Sequence, residues 1–292
     1  MYDVIVIGSG PAGITAAIYA KRRNLSILVI SKSDGALQKA EKIDNYYGFE
    51  NGISGKELYE KGMKQAKNLG IEIVKDEVIN IEYINQFTVE TVNSKYEAKS
   101  VILATGTNRN TPKIKGIKEF EGKGVSYCAV CDSFFYKGKD VAVLGDGNYA
   151  IHEFEMLKPV VNSVTIFTNG NAMIGNRDSS IEVNNKKIRE FRGNTKLEEV
   201  EFEDNTIQKL NGIFIAMGTA SSTDLARKIG ARIENNNIVI NENMETTVPG
   251  LFACGDCTGG LIQISNAVYE GAKAGLAVLK KWKTIRNFRK EL

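Results

Sequence analysis

Two patterns alternate along this chain: short unbroken apolar runs, and longer stretches whose apolar residues recur at helical spacing. Val4-Ile5-Val6-Ile7 and Ile27-Leu28-Val29-Ile30 are continuous apolar runs, the pattern of strands buried on both faces of a parallel sheet. Between them an alanine-rich segment to about Lys21 predicts a helix. A second helix is expected from about Gly55 to Leu69, and strands around Glu72–Val74, Val78–Tyr83, Phe87–Val92 and Val101–Ala104. From about Pro112 the order restarts with a strand over Asp140–Leu144, a helix to about Leu157 and a strand over Val164–Phe167. After Ile213–Ala216 the chain returns near Val239, continues through Leu251-Phe252-Ala253-Cys254-Gly255-Asp256, and ends in a helix from about Gln263 to Trp282. The basic stretch Lys280–Leu292 is expected to be a solvated tail.

The turns that follow the first strand of each half carry the chemistry. Gly8-Ser9-Gly10-Pro11-Ala12-Gly13 stands between two buried strands, where it reads as a dinucleotide-binding turn. Gly8 permits the tight turn, Gly10 lets the backbone approach a pyrophosphate at the helix N-terminus, and Gly13 lets helix and strand pack closely. An NAD site wants an acid at the end of the second strand, and Ser31 stands there instead, so the motif alone leaves NAD and FAD open. Gly145-Asp146-Gly147-Asn148-Tyr149-Ala150 is a second such unit. The expected fold class is therefore α/β, with two Rossmann-like (three-layer ββα) nucleotide-binding domains, the second inserted in the first. Residues 1–112 and 241–292 would form the outer domain and 113–240 the insert. A glycine-punctuated loop with Gly35-Ala36-Leu37-Gln38 and Asp44–Phe49 suits a large flat cofactor along the sheet edge, and the small Ala104-Thr105-Gly106 permits close approach to it.

At 292 residues, 42% hydrophobic and 25% charged, the chain is globular with ample core. A net charge of +3 carries no nucleic-acid signature, and no apolar run reaches the length of a membrane span. Met1-Tyr2-Asp3 runs directly into a strand and leaves no room for a signal peptide, so a cytoplasmic location is expected. Four cysteines in two C-x-x-C pairs then point to redox or metal chemistry rather than to structural stapling. Cys128-Ala129-Val130-Cys131 can close a small disulfide or, together with Cys254 and Cys257, supply four thiolates to zinc. The flanking nucleotide turns favour a two-electron relay, and no metal is expected.

In order and kind, Gly8–Gly13, Ala104-Thr105-Gly106, Cys128-Ala129-Val130-Cys131-Asp132-Ser133-Phe134-Phe135 and Leu251–Asp256 resemble the low-molecular-weight flavoprotein thioredoxin reductases, over nearly the whole chain. The resemblance implies FAD, a homodimer, and electron flow from a nicotinamide through FAD to the Cys128–Cys131 disulfide and on to thioredoxin. It implies that FAD is held by Gly8, Ser9, Gly10, Pro11, Ala12, Gly13, Ser31, Gly35, Ala36, Leu37, Gln38, Asn45, Val78, Ala104, Thr105, Gly106, Gly255 and Asp256, with Gln263 and Ile264 beside the ring. By the same pattern Cys131 faces the flavin, Cys128 attacks thioredoxin and Asp132 handles the proton. The residues agree on Asp132: thiol–disulfide exchange needs a nearby proton donor, and the one histidine, His152, lies in the second glycine-turn helix. The alternative is that Asp132 caps a turn.

The insert departs from the family pattern. Relatives that use NADPH carry a His-Arg-Arg cluster after the second strand of this domain, gripping the 2′-phosphate. Thr168-Asn169-Gly170-Asn171-Ala172 stands there instead, with no cation, and no acid is present for the ribose of NADH. Asp146 places a negative charge in the glycine loop, Tyr149 replaces a small residue, and Asn169–Asn185 is turn-like. Arg177 is the one nearby cation that offers a phosphate contact. The chain thus most resembles the ferredoxin-dependent flavin thioredoxin reductases, which implies reduced ferredoxin as donor. The alternatives are NAD(P)H through an atypical pocket, or a second flavin in the insert. Cys254 and Cys257 are expected to act as small apolar residues. Ile262 stands where many relatives carry a basic residue. A rotation about linkers near Thr111–Lys113 and Val239–Asn241 is expected to expose Cys128.

Overall fold

The structure, a computed structural model, describes residues 1–106, 112–175 and 178–288, with side chains as far as residue 279. Thr111 and Arg177 lie outside the described residues. The chain forms two compact units, Met1–Asn108 with Ser221–Leu292, and Arg109–Ala220.

In chain order the first unit supplies β1 (Tyr2–Ile7), α1 (Pro11–Lys21), β2 (Ile27–Ser31), α2 (Gly55–Asn68), β3 (Glu72–Lys75), β4 (Val78–Tyr83), β5 (Phe87–Thr91) and β6 (Lys95–Leu103). The second supplies β7 (Val125–Ser126), α3 (Ala129–Asp132), β8 (Asp140–Leu144), α4 (Asn148–Leu157), β9 (Ser163–Phe167) and β10 (Val183–Asn184). It continues with β11 (Ile188–Arg192), β12 (Glu199–Phe202), β13 (Ile207–Lys209) and β14 (Gly212–Ile215). The chain then returns through α5 (Ser222–Lys228), β15 (Ile233–Glu234), β16 (Asn237–Ile238), β17 (Leu251–Ala253) and α6 (Ile264–Phe288).

The apolar runs do what a two-face-buried strand should. In the first unit β1 lies between β2 and β6, parallel to both, with Val4 opposite Ile27 and Ser100, and β3 extends the sheet beyond β2. The C-terminal half of β6 pairs in parallel with β17, while its N-terminal half pairs antiparallel with β5, which pairs with β4. Val4, Ile5, Val6, Leu28, Val29, Ile30 and Ile102 are fully buried in consequence. Helix α1 is apolar almost all round and packs against α6 through small residues. A Cβ built on Gly271 would stand 2.3 Å from the Ala12 carbonyl oxygen, and one on Gly275 would stand 2.4 Å from that of Ala16. Such backbone contact brings dispersion to bear over the whole helix pair.

The second unit repeats the plan with a parallel sheet in the order β10-β9-β8-β14-β7 and an antiparallel β11-β12-β13 layer. The α/β class with two nucleotide-type ββα units therefore stands. The return to the first unit comes at Ser221, ahead of Val239 where the sequence placed it. Ser221 caps α5 in a reciprocal capping box with Asp224, and Ser222 exchanges hydrogen bonds with Thr105: Ser222 N–H donates to the Thr105 hydroxyl at 2.8 Å and Thr105 N–H to Ser222 Oγ at 3.0 Å. This short helix has no apolar run to announce it. The last helix also continues past Trp282 to Phe288, so the segment read as a tail begins as helix.

Gly275→Ala is expected to lower the stability measured by urea unfolding by about 1–3 kcal/mol, the range for overpacking, despite alanine's better helix propensity. Gly62→Ala is the control, because its Cβ would meet only Ile14 Cγ2 at 3.8 Å. An unchanged midpoint for Gly275→Ala would contradict the packing described.

Candidate active site

In the first unit the turn from β1 to α1 is shaped by contact on one side and left bare on the other. Gly8 has a φ of +112°, and a Cβ on it would lie 2.3 Å from the Ala104 carbonyl oxygen. A Cβ on Gly13 would lie 2.0 Å from the Gly8 carbonyl oxygen, so no side chain fits at either position. Around the Cβ position of Gly10, by contrast, there is nothing within 4 Å. Gly10 is the N-cap of α1, with Pro11 next and no acidic residue in the first turn. The bare glycine and the free amides of the helix start fit an anionic diphosphate. Ser9 is buried and its hydroxyl donates to Ser31 Oγ at 2.8 Å and meets Tyr59 Oη at 3.0 Å, while Ser31 donates onward to the Ser33 carbonyl at 2.7 Å. Ser31 thus stands at the strand end as a neutral, fully engaged group.

The remaining predicted cofactor residues stand at several places in the first unit. Ala104 and Thr105 follow the end of β6 beside Gly8, and Gly106 comes next with φ +75°. Gly35, with φ +75°, leads into the single turn Ala36–Lys39, in which Gln38 donates to Asp34 at 3.0 Å. Asn45 Nδ2 donates to Gln263 Oε1 at 3.0 Å, which brings together two residues 218 positions apart. Val78 is buried at the head of β4. Gly255 N–H donates to Glu270 Oε2 at 2.7 Å, and Ile264 opens α6 close by in sequence. Burial, then the neighbouring Glu270 carboxylate, pushes the Asp256 acid above its ordinary range.

Cys254 and Cys257 are free and buried, at 0% and 2% exposure. Cys257 Sγ faces the carbonyls of Cys254 at 3.4 Å and Leu103 at 3.6 Å. Burial raises both thiols, Cys257 to about 12 and Cys254 well above the ordinary thiol value. They are neutral packing groups, as expected of small apolar residues.

In the second unit Cys128 and Cys131 are joined as a disulfide, with Cα atoms 5.3 Å apart. The bond ties the two sulfurs to each other, and no group of three metal-binding side chains occurs among the described residues. Cys128 is the N-cap of the one-turn helix α3, and its Sγ accepts from Cys131 N–H at 3.1 Å. Cys131 is exposed and Cys128 is 1% exposed. Asp132 lies at the end of the same turn, its Oδ2 accepting from Ser126 Oγ at 2.6 Å, while Ser126 Oγ accepts from Cys128 N–H at 3.2 Å. Burial first, and then the Asp132 charge, raise the Tyr136 phenol.

Two members of this cluster escaped the sequence reading. Ser126 is one. The other is Glu153, 1% exposed on α4, whose Oε2 accepts from Ala129 N–H at 2.8 Å. A signal existed: the buried positions of α4 are Tyr149, Ala150, Glu153, Phe154 and Leu157, and an acid within that stripe is out of place unless it has a partner.

The second glycine turn differs from the first. After β9, Asn169 and Gly170 both adopt positive φ, 53° and 88°, and Asn171 N–H donates to the Thr168 carbonyl at 3.1 Å, closing a tight turn. Asn-Gly is the dipeptide that such a turn favours. The turn sends the chain back across the start of α4. Asn171 Nδ2 donates to Asp146 Oδ2 at 2.8 Å, and Ile174 N–H donates to the Asp146 carbonyl at 2.7 Å. At Gly175 a Cβ would lie 2.5 Å from Ile151 Cδ1 and 3.1 Å from the backbone nitrogen of Asn148, the first residue of the helix. Tyr149 is buried in the same turn of helix. The chain's own backbone therefore passes close against the first turn of this helix.

The profile of the pyridine nucleotide-disulphide oxidoreductase family matches residues 2–271. The thioredoxin reductase of Aquifex aeolicus is 37% identical over 96% of this chain and 93% of that protein. Among solved structures, the atypical thioredoxin reductase TRi from Desulfovibrio vulgaris Hildenborough is 37% identical, with a TM-score of 0.93, over 97% of this chain and 99% of that one. A ferredoxin-flavin thioredoxin reductase from Clostridium acetobutylicum is 36% identical, with a TM-score of 0.72, over 97% and 98% of the two chains.

Treating the native protein with iodoacetamide at pH 8.5 is expected to leave Cys254 and Cys257 unmodified, as read by peptide mass, until the fold opens in denaturant. Because Cys257 is raised to about 12 from an ordinary thiol value, its neutral form stabilises the fold fully below the unfolded value, and that contribution is lost as the pH climbs towards 12. Rapid labelling of either thiol in the folded state would refute the assignment.

Proposed function

The chain belongs to the pyridine nucleotide-disulphide oxidoreductase family as a flavoprotein disulfide reductase of the thioredoxin reductase type that binds FAD, and we propose that its electron donor is reduced ferredoxin rather than a nicotinamide. One observation carries the proposal. The redox turn at Cys128–Cys131 is fully built, while the glycine turn of the same unit is covered by Asn171–Gly175. A nicotinamide dinucleotide would have to displace that segment and place its diphosphate beside Asp146. It would find an Asn-Gly turn where arginines grip a 2′-phosphate. The likeness to a ferredoxin-flavin thioredoxin reductase supports the same reading.

The residues that would hold FAD in this reading are Gly8–Gly13, Ser31, Gly35–Gln38, Asn45, Val78, Ala104–Gly106, Gly255, Asp256, Gln263 and Ile264. When bound, FAD supplies a carrier that accepts single electrons and delivers a pair. In the reduction, two electrons and two protons break the Sγ–Sγ bond and leave two thiols. Cys131, the exposed member, receives the electrons in this reading. Cys128, 1% exposed in this state, attacks the thioredoxin disulfide as a thiolate once the expected rotation has uncovered it, and Cys131 resolves the mixed disulfide, re-forming the pair and releasing reduced thioredoxin. Asp132, held against Ser126 in the same turn as both sulfurs, hands the proton to and from the departing thiolate.

The energetics are favourable. A plant-type ferredoxin near roughly −400 mV and a thioredoxin near about −270 mV are separated by about 130 mV, or roughly 6 kcal/mol for two electrons. Assembly as a homodimer and a cytoplasmic location belong to the same reading and rest on the resemblance to the family. Among the described residues no helix is long and apolar enough to cross a membrane.

The test mixes the purified holoprotein and oxidised thioredoxin with NADPH, NADH or photoreduced ferredoxin, and follows thiol formation. Fast turnover is expected with ferredoxin alone. Comparable turnover with either nicotinamide would overturn the donor assignment, and no turnover with any of the three would overturn the thioredoxin reductase reading itself.

A further inference from the structure

We infer that Glu270 is a positioning residue for the cofactor: from α6 its carboxyl group fixes the turn Gly255–Thr258 and so sets Asp256 against the start of α1. The inference rests on FAD occupying the glycine turn of the first unit with Asp256 among its contacts, and is independent of the electron donor.

The connection from β17 to α6 has little of its own to hold it. Cys254 N–H still bonds across the sheet, to the Leu103 carbonyl at 3.0 Å. Beyond it the chain bends at Gly255, with φ +78°, into the single turn Asp256–Thr258, whose start has no side-chain cap. Within the turn Thr258 N–H donates to the Gly255 carbonyl at 2.9 Å. Glu270 supplies the anchor. Its Oε2 accepts from Gly255 N–H at 2.7 Å and from the Thr258 hydroxyl at 2.9 Å, so one oxygen grips both ends of the segment that carries Asp256. Its Oε1 accepts from Asn266 Nδ2 at 3.1 Å, one helical turn back on α6, which orients the carboxyl group.

The turn so held lies beside the bare glycine turn. A Cβ on Gly255 would stand 2.8 Å from Ala12 Cβ, and one on Gly271, the residue after Glu270, would stand 2.3 Å from the Ala12 carbonyl oxygen. Both ends of the hydrogen bond from Gly255 to Glu270 therefore rest on the first turn of α1, whose start at Gly10 is open. Glu270 is 9% exposed and shares its buried helix face with Ala267, Gly271 and Ala274. An acid on such a face is out of place unless buried donors need it, and here the Gly255 amide does. Loss of Glu270 would free the segment that presents Asp256, and bound FAD would have to order it, which speeds release.

The test follows FAD release from the purified holoproteins, read as recovery of flavin fluorescence after dilution. Glu270→Ala removes both oxygens, and Asp256→Ala removes the acid that the turn presents. Each is expected to speed release about tenfold, the effect of one well-placed hydrogen bond. Glu270→Gln keeps an acceptor for Gly255 and Thr258, with Asn266 turning its amide oxygen to the new donor, and is expected to stay within about threefold of the parent. Thr258→Val, milder because the Gly255 bond stays, is expected to speed release about threefold. Added to Asp256→Ala, neither Glu270→Ala nor Thr258→Val is expected to speed release further by more than about twofold, because all act through one contact. An acid that only supports the fold would give additive effects. Additivity would overturn the inference, as would release from Glu270→Gln as fast as from Glu270→Ala. So would parent-like release from Glu270→Ala while Asp256→Ala releases FAD fast. Parent-like release from Asp256→Ala would overturn the placement of Asp256 at the cofactor, and the inference with it.

Discussion

The hydrogen bonds from Asn171 and Ile174 to Asp146 hold a segment of the second unit's own chain against the start of α4. A glycine turn at the head of a helix offers bare backbone and unpaired amides, and whichever group reaches them first defines the site. In the first unit that place is open: nothing approaches the Cβ position of Gly10. In the second, the positive-φ pair Asn169-Gly170 turns the chain back within four residues of the strand end, and Gly175 comes to rest against Asn148. The same supersecondary unit occurs twice, once with its helix start bare and once with the chain folded back against it.

The redox chemistry of the second unit centres on the turn from Ser126 to Asp132. Nearly every polar group of the turn has a named partner, and the partners are few. Ser126 bridges Cys128 N–H and Asp132, and Glu153 anchors Ala129 from the next helix. A redox turn must hold its two sulfurs in register through repeated opening and closing of one bond, and a network of charge-assisted hydrogen bonds does this better than apolar contact, because each bond has a direction. The buried thiols Cys254 and Cys257 make the contrast: the same spacing at an apolar strand end gives two free thiols whose ionisation burial disfavours.

Much of this was legible in the sequence because the signals were local. Apolar runs, unbroken in β1 and β2, marked β1, β2, β8 and β9, and glycine spacing between them marked both nucleotide turns. The lack of cations after β9 was visible in Thr168–Ala172, as was the hazard of Asp146. What the sequence hid was the reason: Asn171 and Ile174 are unremarkable letters until the turn brings them back to Asp146. The boundary at Ser221 was missed because α5 is capped by polar residues and carries no strong run. Glu153 was missed because an acid in a helix is ordinarily solvated, and only the burial of its neighbours shows that this one is not. The pairing of Asn45 with Gln263 needed the fold itself.

The central claim is that the covered turn has no room for a nicotinamide dinucleotide. Calorimetric titration of NADPH into the oxidised holoprotein tests it most directly, since binding is read without any turnover. The account predicts no saturable heat at ligand concentrations into the millimolar range. A stoichiometric isotherm with a dissociation constant in the micromolar range would contradict it.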